Sequence, residues 1–351
     1  MNALALLEPL NFTLPAELEA PSPPEARGMT RDAVRMLVAH RSDSTLLHTH
    51  FSELPRYLDE GDLVVINTSG TLAAELDGTG PDGAAVQVHL STQLPAELWT
   101  VEVRRDGDAF LAAAAGTTIT LDGGGHVSLL KSYSPGPGGV GVRLWVSLLE
   151  TPEPLHTFLA KHGRPIRYGY VRGSYPISAY QNVYATEPGS AEMPSAGRPF
   201  TPEVLTRLVA KGVGVAPLLL HTGVASLEAN EPPYAEYFKV SSATAHRVND
   251  TRRGGGRVIA IGTTVVRALE SVVDPHGSVH PGEGWTETVV SPERPVRSID
   301  GFLTGWHEPE ASHLAMLEAI AGRDLLEASY TAALQNGYLW HEFGDVHLIL
   351  P

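Results

Sequence analysis

The sequence predicts a two-part fold, a mostly parallel sheet covered by helices together with an all-β unit. Two observations carry this. From about Pro154 onward, strand-like and helix-like stretches alternate, which is the pattern of a parallel sheet with helical crossovers. Between about Gly61 and Glu150 the chain reads instead as short strands broken by Gly/Pro/Asp clusters, with no helical period. The 351 residues allow about two domains at roughly 100–200 residues each, and 35 glycines with 27 prolines supply many turns.

In chain order, residues 14–60 combine a proline-rich entry (Pro15, Pro21, Pro23, Pro24), an apolar stretch Val34–Val38 and a helix-like segment Ser52–Leu58. The strand zone follows with DLVVIN, AAVQVHL, LWTVEVR, TTITL, HVSLLK and VRLWVSLL, separated by DGTGPDG, DGGG and SPGPGG. That spacing predicts a small barrel or sandwich. Thr201-Pro202-Glu203 is an N-cap with proline at the first helical position, and Val204, Leu205, Leu208 and Val209 form a helical stripe ending at Gly212. A buried strand VGVAPLLLHTG comes next. Arg257–Ile261 reads as another, turned by Gly262-Thr263-Thr264 into a helix that carries Val265, Val266, Leu269 and Val272. After FLTGWH, helices are expected over Pro309–Ala321 and Asp324–Gln335, closed by Gly322 and Gly337.

Composition narrows the function classes. Hydrophobic residues at 42% and charged residues at 19% describe an ordinary globular chain. The formal charge of −15 argues against a broad basic face for duplex DNA. With no cysteine, thiolate nucleophiles, disulfides, iron–sulfur clusters and thiolate zinc sites drop out. The opening MNALALLEPLNF lacks a basic region and is interrupted by Glu8 and Pro9, and no apolar run reaches about 18 residues, so the expectation is a soluble cytoplasmic protein without a membrane partner.

Ligands of open α/β sheets bind beyond the carboxyl ends of the strands. Those ends read His221-Thr222-Gly223, Gly262-Thr263-Thr264 and Thr304-Gly305-Trp306-His307. If the three strands are neighbours, two imidazoles, several hydroxyls and one helix N-terminus meet in one crevice, suited to proton transfer and to an anion. A metal is not expected: six residues on a helix would put His307 and His313 on different faces, and no HExxH motif occurs beside the His48-x-His50 pair. Dinucleotide, P-loop and GxSxG signatures are also missing.

Several segments together resemble a known family: LPAEL at Leu14–Leu18, YLDEGDLVVINTS at Tyr57–Ser69, YQNVYATEPGSAEMPSAGRPFT at Tyr180–Thr201, GRVIAIGTTVVRALES at Gly256–Ser271, SIDGFLTGWHEPEASHLAMLEAIAG at Ser298–Gly322 and FGDVHLIL at Phe343–Leu350. In order, spacing and length the chain resembles the QueA family of S-adenosylmethionine:tRNA ribosyltransferase-isomerases. The resemblance implies an α/β domain, 1–60 and 151–351, interrupted by a β-barrel inserted at 61–150. It also implies a reaction: the ribosyl part of S-adenosylmethionine is transferred to the aminomethyl group of 7-aminomethyl-7-deazaguanine in tRNA and isomerised to epoxyqueuosine, with adenine and methionine released. S-adenosylmethionine is then a substrate, and no metal is expected.

Such chemistry needs a base for the proton on the ribose 5′-carbon beside the sulfonium, an acid for departing adenine, and anchors for the methionine carboxylate and ammonium. His221 and His307 are the candidates for proton transfer. Glu236 is the candidate for the ammonium, and the Gly262-Thr263-Thr264 helix start with Arg267 for the carboxylate. The matching YQ and PSAG segments add Tyr180, Gln181, Tyr184, Pro194, Ser195, Ala196 and Gly197 as substrate-binding candidates. The chain departs from the family where acceptor loops are expected. Two arginines after Asn67 are replaced, with Ser69-Gly70 and Glu75 near their places; RPIRYGY stands at Arg164–Tyr170, and Pro199 occupies a histidine position. These departures open an alternative, sulfonium chemistry on a small molecule or with no acceptor, and a further one, a non-catalytic binding protein.

Overall fold

The structure is a computed structural model and describes residues 10–136, 139–224, 234–309 and 311–351. The opening segment to residue 9 and the Pro137-Gly138 pair of the SPGPGG cluster lie outside the described residues. Among the described residues, no helix is long and apolar enough to cross a membrane.

Six strands close into an antiparallel barrel. Val142–Glu150 pairs with His126–Pro135, then Thr118–Leu121, Glu75–Thr79, Ala85–Gln93 and Leu98–Arg105, and the last pairs back with Val142–Glu150. Alternating side chains such as Val86, Val88, Val101, Val103, Ile119 and Leu129 fill its interior. Where strands cross closely there is room only for hydrogen: a Cβ at Gly78 would sit 2.6 Å from the Thr120 carbonyl oxygen.

Nine strands form the second sheet. Their order is Gly282–Thr286, Glu236–Val240, Gly214–Leu220, Leu63–Asn67, Val258–Ile261, Gly301–Gly305, Val346–Leu350, Arg35–His40 and Leu46–His50. The expected mostly parallel sheet is corrected to a mixed one. Four neighbours at its centre, Gly214–Leu220, Leu63–Asn67, Val258–Ile261 and Gly301–Gly305, run parallel, and antiparallel strands flank them. The link from His40 to Leu46 is too short for a helical crossover, so the outermost pair must be a hairpin.

Leu63–Asn67 is the DLVVIN strand expected among the inserted strands, and it lies instead at the centre of the large sheet. All five of its residues are buried, as in parallel strands covered on both faces. Leu63 and Val65 point to the layer of the Ser242–Arg253 and Thr263–Glu270 helices. Val64 and Ile66 point to the opposite layer, where Phe51, Phe200 and the Pro202–Ala210 helix pack. Thr201 caps that helix as expected, its hydroxyl accepting from Val204 N at 3.1 Å.

Immediately after Asn67 the chain forms Ser69–Thr71, which pairs in parallel with Glu187–Ser190, and then enters the barrel at Glu75. The junction between sheet and barrel therefore lies at the carboxyl edge of the central strands.

Candidate active site

The four parallel strands deliver Asn67, His221, Gly262 and Gly305 to one edge, and the barrel covers part of it. Val224 N donates to the barrel residue Ser91 at 3.1 Å, and a Cβ at Gly223 would meet Ser91 Oγ at 2.8 Å. The neighbour condition posed by the sequence is met only for Val258–Ile261 and Gly301–Gly305, because Leu63–Asn67 separates Gly214–Leu220 from Val258–Ile261. The strands of His221 and His307 are three interstrand steps apart, roughly 14 Å.

Asn67, which the sequence reading did not single out, ties this edge together. Its amide donates to Leu220 O at 2.8 Å and to Thr264 Oγ1 at 3.2 Å, while its carbonyl accepts from Leu220 N at 3.0 Å and Ser69 N at 3.1 Å. Thr264 is thereby engaged by the protein itself. Gly262, at φ 89°, adopts a conformation that favours glycine, and a Cβ there would approach Ala196 at 3.3 Å. No side chain caps the helix that starts at Thr263, so its first N–H groups remain to be satisfied by solvent or an anion.

His221 heads a chain of hydroxyls. Its Nδ1 lies 2.7 Å from Ser69 Oγ, Ser69 Oγ lies 2.6 Å from Ser190 Oγ, and Ser190 Oγ accepts from Thr222 N at 3.0 Å. Both serines are buried. Burial holds the His221 imidazole below its usual range, so at neutral pH it is an uncharged base. Its ring lies against Gly189, where a Cβ would overlap it.

His307 stands in different company. Its Nε2 is 2.9 Å from Thr304 Oγ1, its backbone N–H donates to Tyr330 Oη at 3.3 Å, and its carbonyl accepts from Trp340 Nε1 at 3.1 Å. Its ring stacks on His313 with centroids 4.7 Å apart. The expectation that these two histidines face apart is corrected: the helix begins only at His313, and the turn before it folds His307 back onto it. Burial, followed by the imidazoles of His313, His341 and His347, holds His307 well below the ordinary histidine value.

Glu236 and Arg267, given separate anchoring roles by the sequence, form an ion pair with each other, with side chains 13% and 7% exposed. Arg267 also donates to the carbonyls of Thr286 at 3.1 Å, Thr288 at 3.2 Å and Tyr234 at 3.3 Å, and Glu236 accepts from Gly223 N at 3.0 Å. The pair braces the loop after His221. The YQ and PSAG residues pack beside the Ser69–Thr71 strand and the Gly262 turn. Gln181 bonds Thr71 through both backbone atoms, at 3.0 and 2.7 Å, and the Tyr180 carbonyl accepts from Thr71 Oγ1 at 2.6 Å. Tyr184 packs against Gly197, and Asn182 donates to Pro194 O at 3.0 Å. Ser195 borders a small cavity that also touches Gly305 and His341.

A family model described as queuosine biosynthesis protein matches residues 7–349. The chain belongs to the queuosine biosynthesis protein family. Among relatives of this family, an S-adenosylmethionine:tRNA ribosyltransferase-isomerase of Moorella thermoacetica is 35% identical over 98% of this chain and 99% of that one. The protein of the same name from Symbiobacterium thermophilum is also 35% identical, with the same coverage. The crystal structure of S-adenosylmethionine tRNA ribosyltransferase from Thermotoga maritima aligns with a TM-score of 0.53 at 26% identity, over 97% of this chain and 99% of that one. Two of the departures from the family pattern meet in space: Arg164 Nε donates to Glu75 Oε1 at 2.9 Å, and although burial pushes the Glu75 carboxyl up, the hydrogen bonds and charges of His89 and Arg164 outweigh it and hold Glu75 below the usual carboxylate range. Ser69 and Ser190 could have been found in the sequence only from their position just past or beside strand ends, since serine alone carries no signal.

Proposed function

We propose that this chain is an S-adenosylmethionine-dependent ribosyltransferase-isomerase that acts on tRNA, as the names of its full-length relatives state for those proteins. In this reading an α/β body carries a barrel inserted between Asn67 and Thr151, and S-adenosylmethionine occupies the crevice between them. The observation that carries the chemistry is the Ser190–Ser69–His221 chain, which presents a neutral, oriented imidazole at the carboxyl edge of the sheet.

His221 takes the proton from the ribose 5′-carbon, which the adjacent sulfonium acidifies; the electron pair left on that carbon expels the ring oxygen from the neighbouring carbon. Ser69, bonded at Nδ1, fixes the ring so that Nε2 faces the substrate. The uncapped start of the Thr263–Glu270 helix receives the amino-acid carboxylate through its N–H groups. Arg267 supports that site through Glu236 and its loop. His307, neutral and bonded to Thr304, serves the opposite end of the crevice as a hydrogen-bonding group rather than as a resting acid. Glu75 is neutralised locally by Arg164, so the rewritten acceptor loop does not leave it as an unpaired acid facing a polyanion.

Adenine release from S-adenosylmethionine tests this. Release that depends on tRNA carrying 7-aminomethyl-7-deazaguanine is expected, and equal release without tRNA, or none with it, would overturn the proposal.

A further inference from the structure

Beside the crevice, three side chains of ligand type converge from segments far apart in the chain. Glu19 follows the Ala16–Leu18 turn, Glu308 follows His307, and His341 lies in the loop before the Val346–Leu350 strand. One donor atom of each lies within 4.8 Å of the other two. Backbone bonds hold the arrangement: Trp340 N donates to Leu18 O at 2.8 Å and Ala20 N to Trp340 O at 3.3 Å, setting Glu19 against the Trp340–His341 segment. The Trp340 indole binds the His307 carbonyl at 3.1 Å and so fixes the segment that carries Glu308.

The decisive feature is the His341 Nε2. The His341 side chain is 8% exposed, and this nitrogen is shut off from solvent and makes no hydrogen bond. It points between two carboxylates, 3.7 Å from Glu19 Oε1 and 3.6 Å from Glu308 Oε1. Those separations are too long for N–H···O hydrogen bonds. They match two ligands around a shared tetrahedral ion with bonds of about 2.1 Å, which puts donor atoms roughly 3.4–3.5 Å apart. The ring is held in place by stacking on Tyr170, with centroids 3.9 Å apart. Among the described residues neither Glu19 nor Glu308 has a lysine or arginine partner.

We propose that Glu19, Glu308 and His341 bind one divalent transition cation of the zinc or manganese type. Two carboxylates supply the charge that balances the cation, and one imidazole with two oxygens is a donor set that favours these ions over magnesium. The site departs from the expectation that the protein holds no metal. Its ligands come from the N-terminal segment, the loop after the Gly301–Gly305 strand and the Trp340–His341 segment, so the ion would clamp all three and hold the His307 loop in register.

The test uses the full chain after dialysis against a chelator, titrated with zinc chloride and, separately, manganese chloride in a calorimeter, with thermal melting alongside. One site per chain is expected in the parent protein. It is expected to weaken by more than about tenfold in Glu308→Gln, whose side chain is largely exposed and whose folding should be undisturbed, and to vanish in His341→Gln. The metal should raise the melting temperature of the parent, raise that of Glu308→Gln less at the same concentration, and leave that of His341→Gln unchanged. No binding of either ion by the parent, or the same affinity and stoichiometry in Glu308→Gln as in the parent, would overturn the proposal.

Discussion

At one end of the sheet's carboxyl edge His221 heads a chain of two serine hydroxyls, and at the other His307 stacks on His313 and feels the imidazoles of His341 and His347. Both rings are neutral at physiological pH, yet for different reasons. Burial alone lowers His221, which keeps a defined hydrogen-bond partner on one nitrogen. His307 is lowered further by its histidine neighbours and is packed against His313, with Trp340 and Tyr330 bonding its backbone. A base that must accept a proton and pass it on needs an oriented ring with room for charge. The first environment offers that, whereas the second would place a new charge among other imidazoles.

The largest effect should therefore separate the two rings. His221→Gln is expected to lower the rate of adenine release by about 10²–10⁴-fold with folding intact, while His307→Gln should lower it by about tenfold, the loss of one hydrogen bond. Steady-state rates at saturating S-adenosylmethionine and modified tRNA measure both, and a greater loss in His307→Gln would reverse the assignment. Next in size is the ion pair that braces the His221 loop. Arg267→Ala leaves Glu236 buried without its partner and should cost about 3–5 kcal/mol of stability in a urea melt. An unchanged melt with a large fall in S-adenosylmethionine affinity would return Arg267 to the anchoring role read from the sequence.

At the opposite end, His347 sharpens the contrast through pH. Its ring is fully buried, stacks on Trp306 at 4.8 Å, and has no partner for either nitrogen. Burial pushes it down to about 3, while in the unfolded chain it takes up a proton near about 6.5. The unfolded state therefore binds more protons below that value, and stability present above it is lost as pH falls, by about 1.4 kcal/mol per unit. The unfolding free energy from urea melts should fall between pH 7.5 and 5.5 by about 1.4 kcal/mol more in the parent than in His347→Leu, and an equal fall in both would contradict the buried neutral ring.

The smallest effects come from the hydroxyl partners. Ser69→Ala removes the group that orients His221 and should slow turnover about tenfold with KM unchanged, whereas Thr304→Val, removing the partner of His307, should change turnover less than about threefold. Equal effects would dissolve the distinction between the two ends.

Much of this was legible in the sequence, and the failures are instructive. The strand ends that carry His221, Gly262 and His307 stood out because buried apolar runs stop at polar residues. The DLVVIN strand was grouped with the barrel by its position in the chain, although its unbroken apolar run already marked a strand covered on both faces. The barrel strand Glu75–Thr79 escaped notice because only Leu76 and Gly78 turn inward from a polar sequence. The Ser242–Arg253 helix escaped because it buries only Thr244, Ala245 and Val248, too few to show a period. Within the site, charge type was readable and pairing was not. Glu236 and Arg267 lie on different elements, and only the packing of the Glu236–Val240 strand beside the Thr263–Glu270 helix reveals that they satisfy each other.

The proposed proton removal by His221 is tested directly by comparing adenine release from ordinary S-adenosylmethionine and from S-adenosylmethionine deuterated at the ribose 5′-carbon. If His221 is the base, the isotope effect should rise in His221→Gln, where proton removal becomes the slow step, and stay at the parent value in His307→Gln. An isotope effect that is unchanged in His221→Gln and raised in His307→Gln would contradict it.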